Sequence, residues 1–157
     1  MVNRYQTGMQ GVYLVAAELT GRGFIVSVTS RNAFGADLLV TRQGCEMTWS
    51  VQVKTNRQTP SYWLLNSHAQ EMKYSSHIYV FVNLRGNDRP EYYVVKSEFV
   101  AKHVGVEGPW HWFGRTDALP YLEGWDAVFG DPGTPPNQQH DSDDQIPNRE
   151  IAQLSRS

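Results

Sequence analysis

Hydrophobic residues near the start of the chain recur at the spacing of a helix. Val12, Val15, Ala16 and Leu19 lie three or four positions apart and share one helical face. They predict an amphipathic helix over residues 8–21, which ends where glycines interrupt the pattern. The first predicted element is therefore a helix with one face directed at a core.

The pattern then changes to short segments rich in β-branched and aromatic residues, which is typical of strands. The predicted strands are residues 24–29, 37–41, 47–55, 77–84 and 91–96, and further helices are predicted over residues 67–74 and 97–104. The aromatic-rich residues 105–130 are expected to pack across the sheet. This order predicts an α/β fold with a mixed central sheet of about five strands, flanked by helices.

The composition changes after Gly130. Residues 131–157 contain four prolines, an acidic cluster and no aromatic residue, so they bury too little apolar surface to offset the entropy of ordering. We predict a folded domain over residues 1–130 and an acidic, proline-rich, flexible tail over residues 131–157. The tail holds five acidic and two basic residues, a net charge of −3 within the −2 of the whole chain, which leaves the domain at +1.

This charge excludes a strongly cationic protein that binds nucleic acid through bulk charge. A single cysteine, Cys45, excludes an internal disulfide framework, and the five histidines lack the spacing of a zinc site. Apolar runs are too short to cross a membrane, and the first residues lack the apolar stretch of a signal peptide. A cytoplasmic protein without membrane contact is expected.

Polar residues on neighbouring predicted elements form a candidate reactive group. Gln52 and Lys54 point to the same face of their strand because side chains alternate along a strand. The preceding strand begins with Asp37, and the short turn between the two strands predicts that they pair. Glu18 lies at the rim of the apolar face of the first helix, where a carboxylate is directed at the sheet and needs a partner.

A group of this composition suits metal-assisted hydrolysis of a phosphodiester. Asp37 and Glu18 supply hard oxygen ligands for Mg²⁺, and the Val53 carbonyl and the Gln52 amide oxygen complete the shell. Lys54 is placed to orient the attacking water and to offset charge on the phosphate. The predicted catalytic residues are therefore Asp37, Gln52, Lys54 and Glu18, with Mg²⁺ or Mn²⁺ as cofactor.

The segments that carry these residues, 35–40 and 51–55, together with the helix before them, resemble the PD-(D/E)XK nuclease superfamily. The resemblance implies a restriction-endonuclease-like core and metal-dependent cleavage of DNA or, less often, RNA. By position, Asp37 matches the motif aspartate, Lys54 the catalytic lysine and Glu18 the helix acid. Gln52 stands where most members have an acid, which makes the chain a Q-x-K variant, and Gly35-Ala36 replaces the proline of the motif.

The neutral Gln52 keeps an alternative open, since an amide binds Mg²⁺ more weakly than a carboxylate does. On that alternative the protein is a catalytically inactive module on the same fold, which binds nucleic acid or another protein. A further possibility is a small interaction domain whose acidic tail contacts a partner. Cleavage of a duplex needs two active sites, so a nuclease of this size is expected to form a homodimer.

Other residues are weaker candidates for binding nucleic acid. Arg31 and Asn32 precede the Asp37 strand, and Lys73 lies in the last turn of the predicted helix 67–74. These three residues are predicted to contact phosphates. The aromatic residues at 62–63 and 110–113 have more than one interpretation. Residues 62–63 either stack on bases or pack in the core, with Trp63 against Tyr79, and both alternatives stay open. Residues 110–113 form a base-stacking platform, a dimer surface or a contact with the sheet, and packing against the sheet is favoured for them.

Overall fold

The computed structural model describes residues 1–30, 34–58 and 61–132. Its first element is the helix α1(Arg4–Gly21), which begins four residues earlier than the hydrophobic pattern predicts. A capping box explains the early start: the Asn3 side chain accepts the Gln6 N–H, and the Gln6 side chain accepts the Asn3 N–H, both at 2.9 Å. This extra turn brings Arg4 into the folded domain.

The described residues form eight strands: β1(Ile25–Val28), β2(Leu38–Thr41), β3(Thr48–Asn56), β4(Tyr62–Leu65), β5(His77–Arg85), β6(Asp88–Lys96), β7(Gly105–Glu107) and β8(Trp110–Gly114). Five of them make the main sheet, in the order β1-β2-β3-β5-β6. β1, β2 and β3 form an antiparallel meander, β3 pairs with β5 in parallel, and β5 pairs with β6 antiparallel. The predicted mixed central sheet of about five strands is confirmed.

The helix α1 covers one face of this sheet. Alternate residues of β3, among them Val51 and Val53, point towards α1 and meet its buried residues Val15 and Leu19. Three short helices follow along the chain: α2(Ser97–His103), α3(Arg115–Ala118) and α4(Trp125–Phe129). The aromatic rings of α4 close the same core as α1, whereas Val100 of α2 and Ala118 of α3 are buried on the opposite face of the sheet.

A second, three-stranded sheet, ordered β4-β8-β7, covers the opposite face. Its inward side chains, Trp63 and Phe113, pack with Phe81 and Tyr93 of the main sheet. Packing of residues 105–130 against the sheet is therefore observed, but the strands within them and β4 did not show in the pattern. They are three to five residues long, too short for alternation to be read reliably.

The predicted helix over residues 67–74 is only a single 3-10 turn, Ser67–Gln70. A second 3-10 turn, Leu119–Tyr121, follows α3. The predicted tail is described only at Asp131 and Pro132, so its flexibility and the domain boundary stay predictions. Within the ranges that the structure describes, no helix is both long enough and apolar enough to cross a bilayer.

Candidate active site

Asp37 lies immediately before β2 and is fixed by its own backbone. Its N–H donates to the Val51 carbonyl at 2.8 Å, and its carbonyl accepts the Thr29 N–H at 3.0 Å. The preceding Ala36 carbonyl accepts the Thr29 hydroxyl at 2.6 Å. The backbone of residues 36–37 is thus hydrogen-bonded to Thr29 on one side and to Val51 on the other. These bonds limit the positions that the Asp37 carboxylate can take.

The Asp37 carboxylate continues the ladder just before β2 begins. Leu38 pairs with Val51, so β3 extends beyond the start of β2, and the Val53 N–H faces the open edge. Asp37 Oδ2 accepts that N–H at 2.8 Å. In a strand the N–H and C=O of one residue point to the same side. The Val53 carbonyl therefore faces the edge that holds the Asp37 carboxylate.

Gln52 and Lys54 lie on the face of β3 opposite Val53, as predicted. The register that pairs Leu38 with Val51 puts Asp37 opposite Gln52, and both Gln52 and Lys54 are half-buried. Burial lowers the pKa of the Lys54 ammonium below its usual range, and the negative charge of Asp37 opposes the shift. The carboxylate and the ammonium are therefore close enough to interact.

Two adjoining cavities open at this end of the sheet. One, of ≈ 520 Å³, is lined by Asp37, Val53 and residues of the first half of α1 that include Gly8 and Val12. The other, of ≈ 440 Å³, is lined by Lys54, Asn56 and Arg57 of β3 and the residue after it, and by Tyr62 and Trp63 of β4. The Arg4 side chain lines both cavities. Carboxylate, ammonium and guanidinium groups therefore share one accessible region.

The structure does not bring Glu18 to this region. Its carboxylate forms ion pairs with Arg89 of β6 at 3.4 Å and with Arg22 at 3.9 Å. Three strand spacings of about 4.8 Å separate β6 from β2, so Glu18 lies over the opposite half of the sheet from Asp37. The predicted convergence of Glu18 with Asp37 is corrected accordingly. The prediction failed because the carboxylate on the rim of the helix pairs with a nearby cation, and that cation is Arg89 of β6.

The helix residues that do line the Asp37 cavity bring no carboxylate to it. Those of α1 are Arg4, Tyr5, Gly8, Met9, Val12 and Tyr13. Across the described residues, no three or more His, Cys, Asp or Glu side chains are grouped so as to hold a metal ion. Any ion at the site would therefore depend on Asp37 and on neutral oxygen atoms.

This donor set fits a Mg²⁺ ion that keeps much of its water. Mg²⁺ in phosphate-processing sites is bound by one or two carboxylates, and waters and substrate phosphates fill the remaining positions. One Asp37 oxygen is engaged by the Val53 N–H, which leaves Oδ1 as a ligand. The Val53 carbonyl and the amide oxygen of Gln52, which lies opposite Asp37 in the strand register, are the candidate neutral donors.

The candidate phosphate contacts have separate outcomes. Arg31 and Asn32 lie outside the described residues. Lys73 is exposed in the turn after the first 3-10 helix. It follows Met72, whose methyl group approaches Gly35 in the loop that leads into Asp37. The contact of Lys73 with nucleic acid stays a prediction.

Sequence reasoning missed Arg4 and Arg57. Arg57 is held on α1 by weak hydrogen bonds to the Thr7 hydroxyl at 3.5 Å and the Gln10 side chain at 3.4 Å. The signal for Arg4 was available, because Asn3 followed three residues later by Gln6 is a helix-start pattern. No comparable signal marks Arg57, whose position depends on how α1 crosses β3.

By sequence, the chain matches no family model and no curated protein. By structure, it is similar to Hjc, a Holliday junction resolvase from the archaeal hyperthermophile Archaeoglobus fulgidus, with a TM-score of 0.53 and 12% identity over 77% of this chain and 94% of that one. It is also similar to a bacterial homing endonuclease, with a TM-score of 0.57 and 14% identity over 82% of this chain and 92% of that one. The fold is therefore restriction-endonuclease-like, as predicted.

Proposed function

We propose that the protein is a divalent-metal-dependent endonuclease that hydrolyses phosphodiester bonds in DNA. One observation carries the proposal: the Asp37 carboxylate bonds to the Val53 N–H at the open edge of β3, while the half-buried Lys54 ammonium interacts with it. The restriction-endonuclease-like fold supports a nuclease-like function. Two proteins of similar fold are nucleases by name, a Holliday junction resolvase and a homing endonuclease.

The residues of the site have distinct proposed roles. Asp37, the Val53 carbonyl and Gln52 would hold Mg²⁺ or Mn²⁺, which would neutralise charge at the phosphate and make a bound water more acidic. Lys54 hydrogen-bonds the attacking water or a phosphate oxygen and offsets the charge that develops there. The hydrogen bond from Val53 holds the carboxylate in one orientation before substrate arrives.

A second candidate is an inactive module that binds nucleic acid or a protein on the same fold. The observation that favours it is that Asp37 is the only carboxylate among the described residues that line its cavity, where α1 presents Gly8 and Val12 and β3 presents Val53. A site with one carboxylate binds Mg²⁺ weakly unless substrate phosphates add ligands. Metal binding measured with and without DNA therefore separates the two candidates.

The test is cleavage of plasmid and branched DNA with Mg²⁺ or Mn²⁺ by three proteins: wild type, Asp37→Asn and Glu18→Gln. The first substitution removes the carboxylate charge at nearly constant volume, and the second does the same at a carboxylate far from the site. We expect cleavage by the wild type and by Glu18→Gln, and none by Asp37→Asn. Equal cleavage by all three proteins would reject the proposed site.

Calorimetric titration with Mn²⁺ completes the experiment. We expect metal binding in the wild type that is lost in Asp37→Asn and strengthened by a non-cleavable DNA analogue. DNA binding without metal binding or cleavage would establish the inactive module instead.

Cleavage of both strands of a duplex requires two such sites, so we propose that the active form is a homodimer. Sedimentation of the full chain with and without duplex DNA tests this, and a monomer in both samples would contradict it. The cytoplasmic location stays a prediction from the sequence.

A further inference from the structure

The outer face of the second sheet carries large rings that the fold does not bury. Side chains alternate along β4 and β8, so Trp63 and Phe113 point inward while Tyr62 and Trp110 point outward. Tyr62 is 46% exposed and Trp110 is 62% exposed. We call this outer face the platform, and its members are Tyr62, Leu64, Trp110 and Trp112.

The indole ring of Trp112 packs directly on Gly105, which has no side chain. Gly105 of β7 pairs directly with Trp112 of β8. A Cβ atom on Gly105 would overlap the indole ring of Trp112, so the ring lies across the glycine. A ring fixed in this way loses little entropy when a flat partner stacks on it.

The platform is continuous with the candidate active site through one cation. Arg4 lines a cavity of ≈ 620 Å³ with all four platform residues and Glu107. The same Arg4 lines the Lys54 cavity and the Asp37 cavity. Tyr62 and Leu64 also line both the platform cavity and the Lys54 cavity. A path therefore runs from exposed rings, past Arg4, Arg57 and Lys54, to the Asp37 carboxylate.

This path matches the chemistry of a single nucleic-acid strand. Flat apolar rings bind the faces of bases, and the guanidinium and ammonium groups beside them bind phosphates. A paired base inside a duplex hides its faces against its neighbours, whereas an unpaired base offers one. A protein partner would be favoured by a broad apolar patch, but here three cations line the adjoining cavity.

We propose that the platform stacks unpaired bases of the DNA strand whose phosphate lies at the Asp37–Lys54 site. The placement of the scissile phosphate at the Asp37–Lys54 site rests on the proposed function. Stacking of bases on the platform itself needs neither metal nor cleavage. It assigns Trp110 and Tyr62 to base stacking and Arg4 to the phosphate between the platform and the site. The predicted substrate is therefore DNA with an unpaired segment next to the scissile bond.

The test measures binding of a fluorescent single-stranded oligothymidylate, and of a duplex of the same length, to the full chain in EDTA. Three variants are compared with the wild type: Trp110→Ala, Arg4→Gln and the control Tyr74→Ala. The side chain of Tyr74 is 62% exposed, like that of Trp110, but lines none of the three cavities. Because Trp110 is exposed, its loss should leave the fold intact, and circular dichroism checks this.

We expect the wild type to prefer the single strand and Trp110→Ala to bind it about tenfold more weakly. Arg4→Gln should weaken binding and reduce its dependence on salt, and Tyr74→Ala should bind like the wild type. Unchanged single-strand binding by Trp110→Ala would overturn the proposal. So would a change of oligomeric state in that variant without a change in DNA binding, because the platform would then be a contact between copies.

Failure of this proposal and failure of the proposed function give different results. Loss of cleavage with intact, Trp110-dependent binding of single strands rejects the nuclease alone. Metal-dependent cleavage with strand binding that does not depend on Trp110 rejects the platform alone.

Discussion

The two halves of α1 meet the same sheet in different ways. In residues 4–12, Gly8 lines the Asp37 cavity, and Gly11 is so close to β3 that a Cβ atom there would clash with the Thr55 side chain. In residues 13–21, Val15 and Leu19 are completely buried in the apolar core. The first half of α1 leaves space beside the candidate site, whereas side chains of the second half fill the apolar core.

The charged residues follow the same division. Arg4 in the first turn lines three cavities and is available to a ligand. In the second half, Glu18 pairs with Arg89. Arg22, directly after the helix, pairs with Asp126 at 3.5 Å and lies 5.2 Å from the centre of the Trp125 ring. Glycine inside a helix costs about 1 kcal/mol relative to alanine. The first half thus gives up helix stability for an open site, while the second half anchors the helix.

The largest expected effect tests whether Lys54 at the open end is functional. Lys54→Met should reduce cleavage at least about 100-fold, since it removes the group that offsets charge on the phosphate. The same change should raise stability at pH 7, because burial disfavours the charged ammonium. Kinetic assays and urea unfolding measure the two effects, with exposed Lys102→Met as the control expected to change neither.

The stability gain should depend on pH in a defined direction. The pKa of Lys54 is lower in the folded chain than in the unfolded one, so the unfolded chain binds more protons between the two values. Wild-type stability therefore gains from Lys54 as the pH rises through that window. The advantage of Lys54→Met should shrink from pH 7 towards pH 10, and a constant advantage would contradict the assigned burial.

The close approach of helix and strand gives the next largest effect. Gly11→Ala should destabilise the fold by about 1–3 kcal/mol, because the new methyl group meets the Thr55 side chain. Gly8→Ala should stabilise it by up to about 1 kcal/mol, because no heavy atom lies within 4 Å of the position of its Cβ. Urea unfolding of both variants measures the difference, and effects of equal sign would refute the contrast.

A carboxylate added to the first half of α1 should increase the affinity of the candidate site for a divalent metal. Gly8→Glu adds an acid to the Asp37 cavity, and we expect about tenfold tighter Mn²⁺ binding by calorimetry. The matched control is Gly21→Glu, at the other end of α1 and equally free of neighbours. Similar gains in both variants would show that the increase reflects net charge and not the cavity.

The smallest effect belongs to Glu18. Its ion pair with Arg89 is partly exposed, and such pairs contribute less than about 1 kcal/mol. Glu18→Gln should therefore shift the free energy of unfolding by less than that amount, and the shift should fall as salt is added. A loss of several kcal/mol would mean that the pair supports the second half of the helix.

Elements with a long hydrophobic pattern were predicted from the sequence, whereas short strands that form by pairing with a neighbouring strand were not. α1 and the nine-residue strands β3 and β5 followed from periodicity, whereas β4 and β7 are only four and three residues long and join the second sheet by pairing with β8. At the site, the shared face of Gln52 and Lys54 followed from alternation within one strand. The position of Glu18 depended on which strand the second half of α1 crosses, and local spacing carries no such information.

The sequence by itself determined the α/β class, the main sheet and the order of its first strands, because these depend on local periodicity and short turns. It also determined that Gln52 and Lys54 share a face, since side chains alternate along any strand. Only the tertiary structure decided that Arg4 lines the cavities of both Asp37 and Lys54 while Glu18 pairs with Arg89 elsewhere. The angle at which a helix crosses a sheet is set by packing between residues distant in sequence, here Gly11 against Thr55.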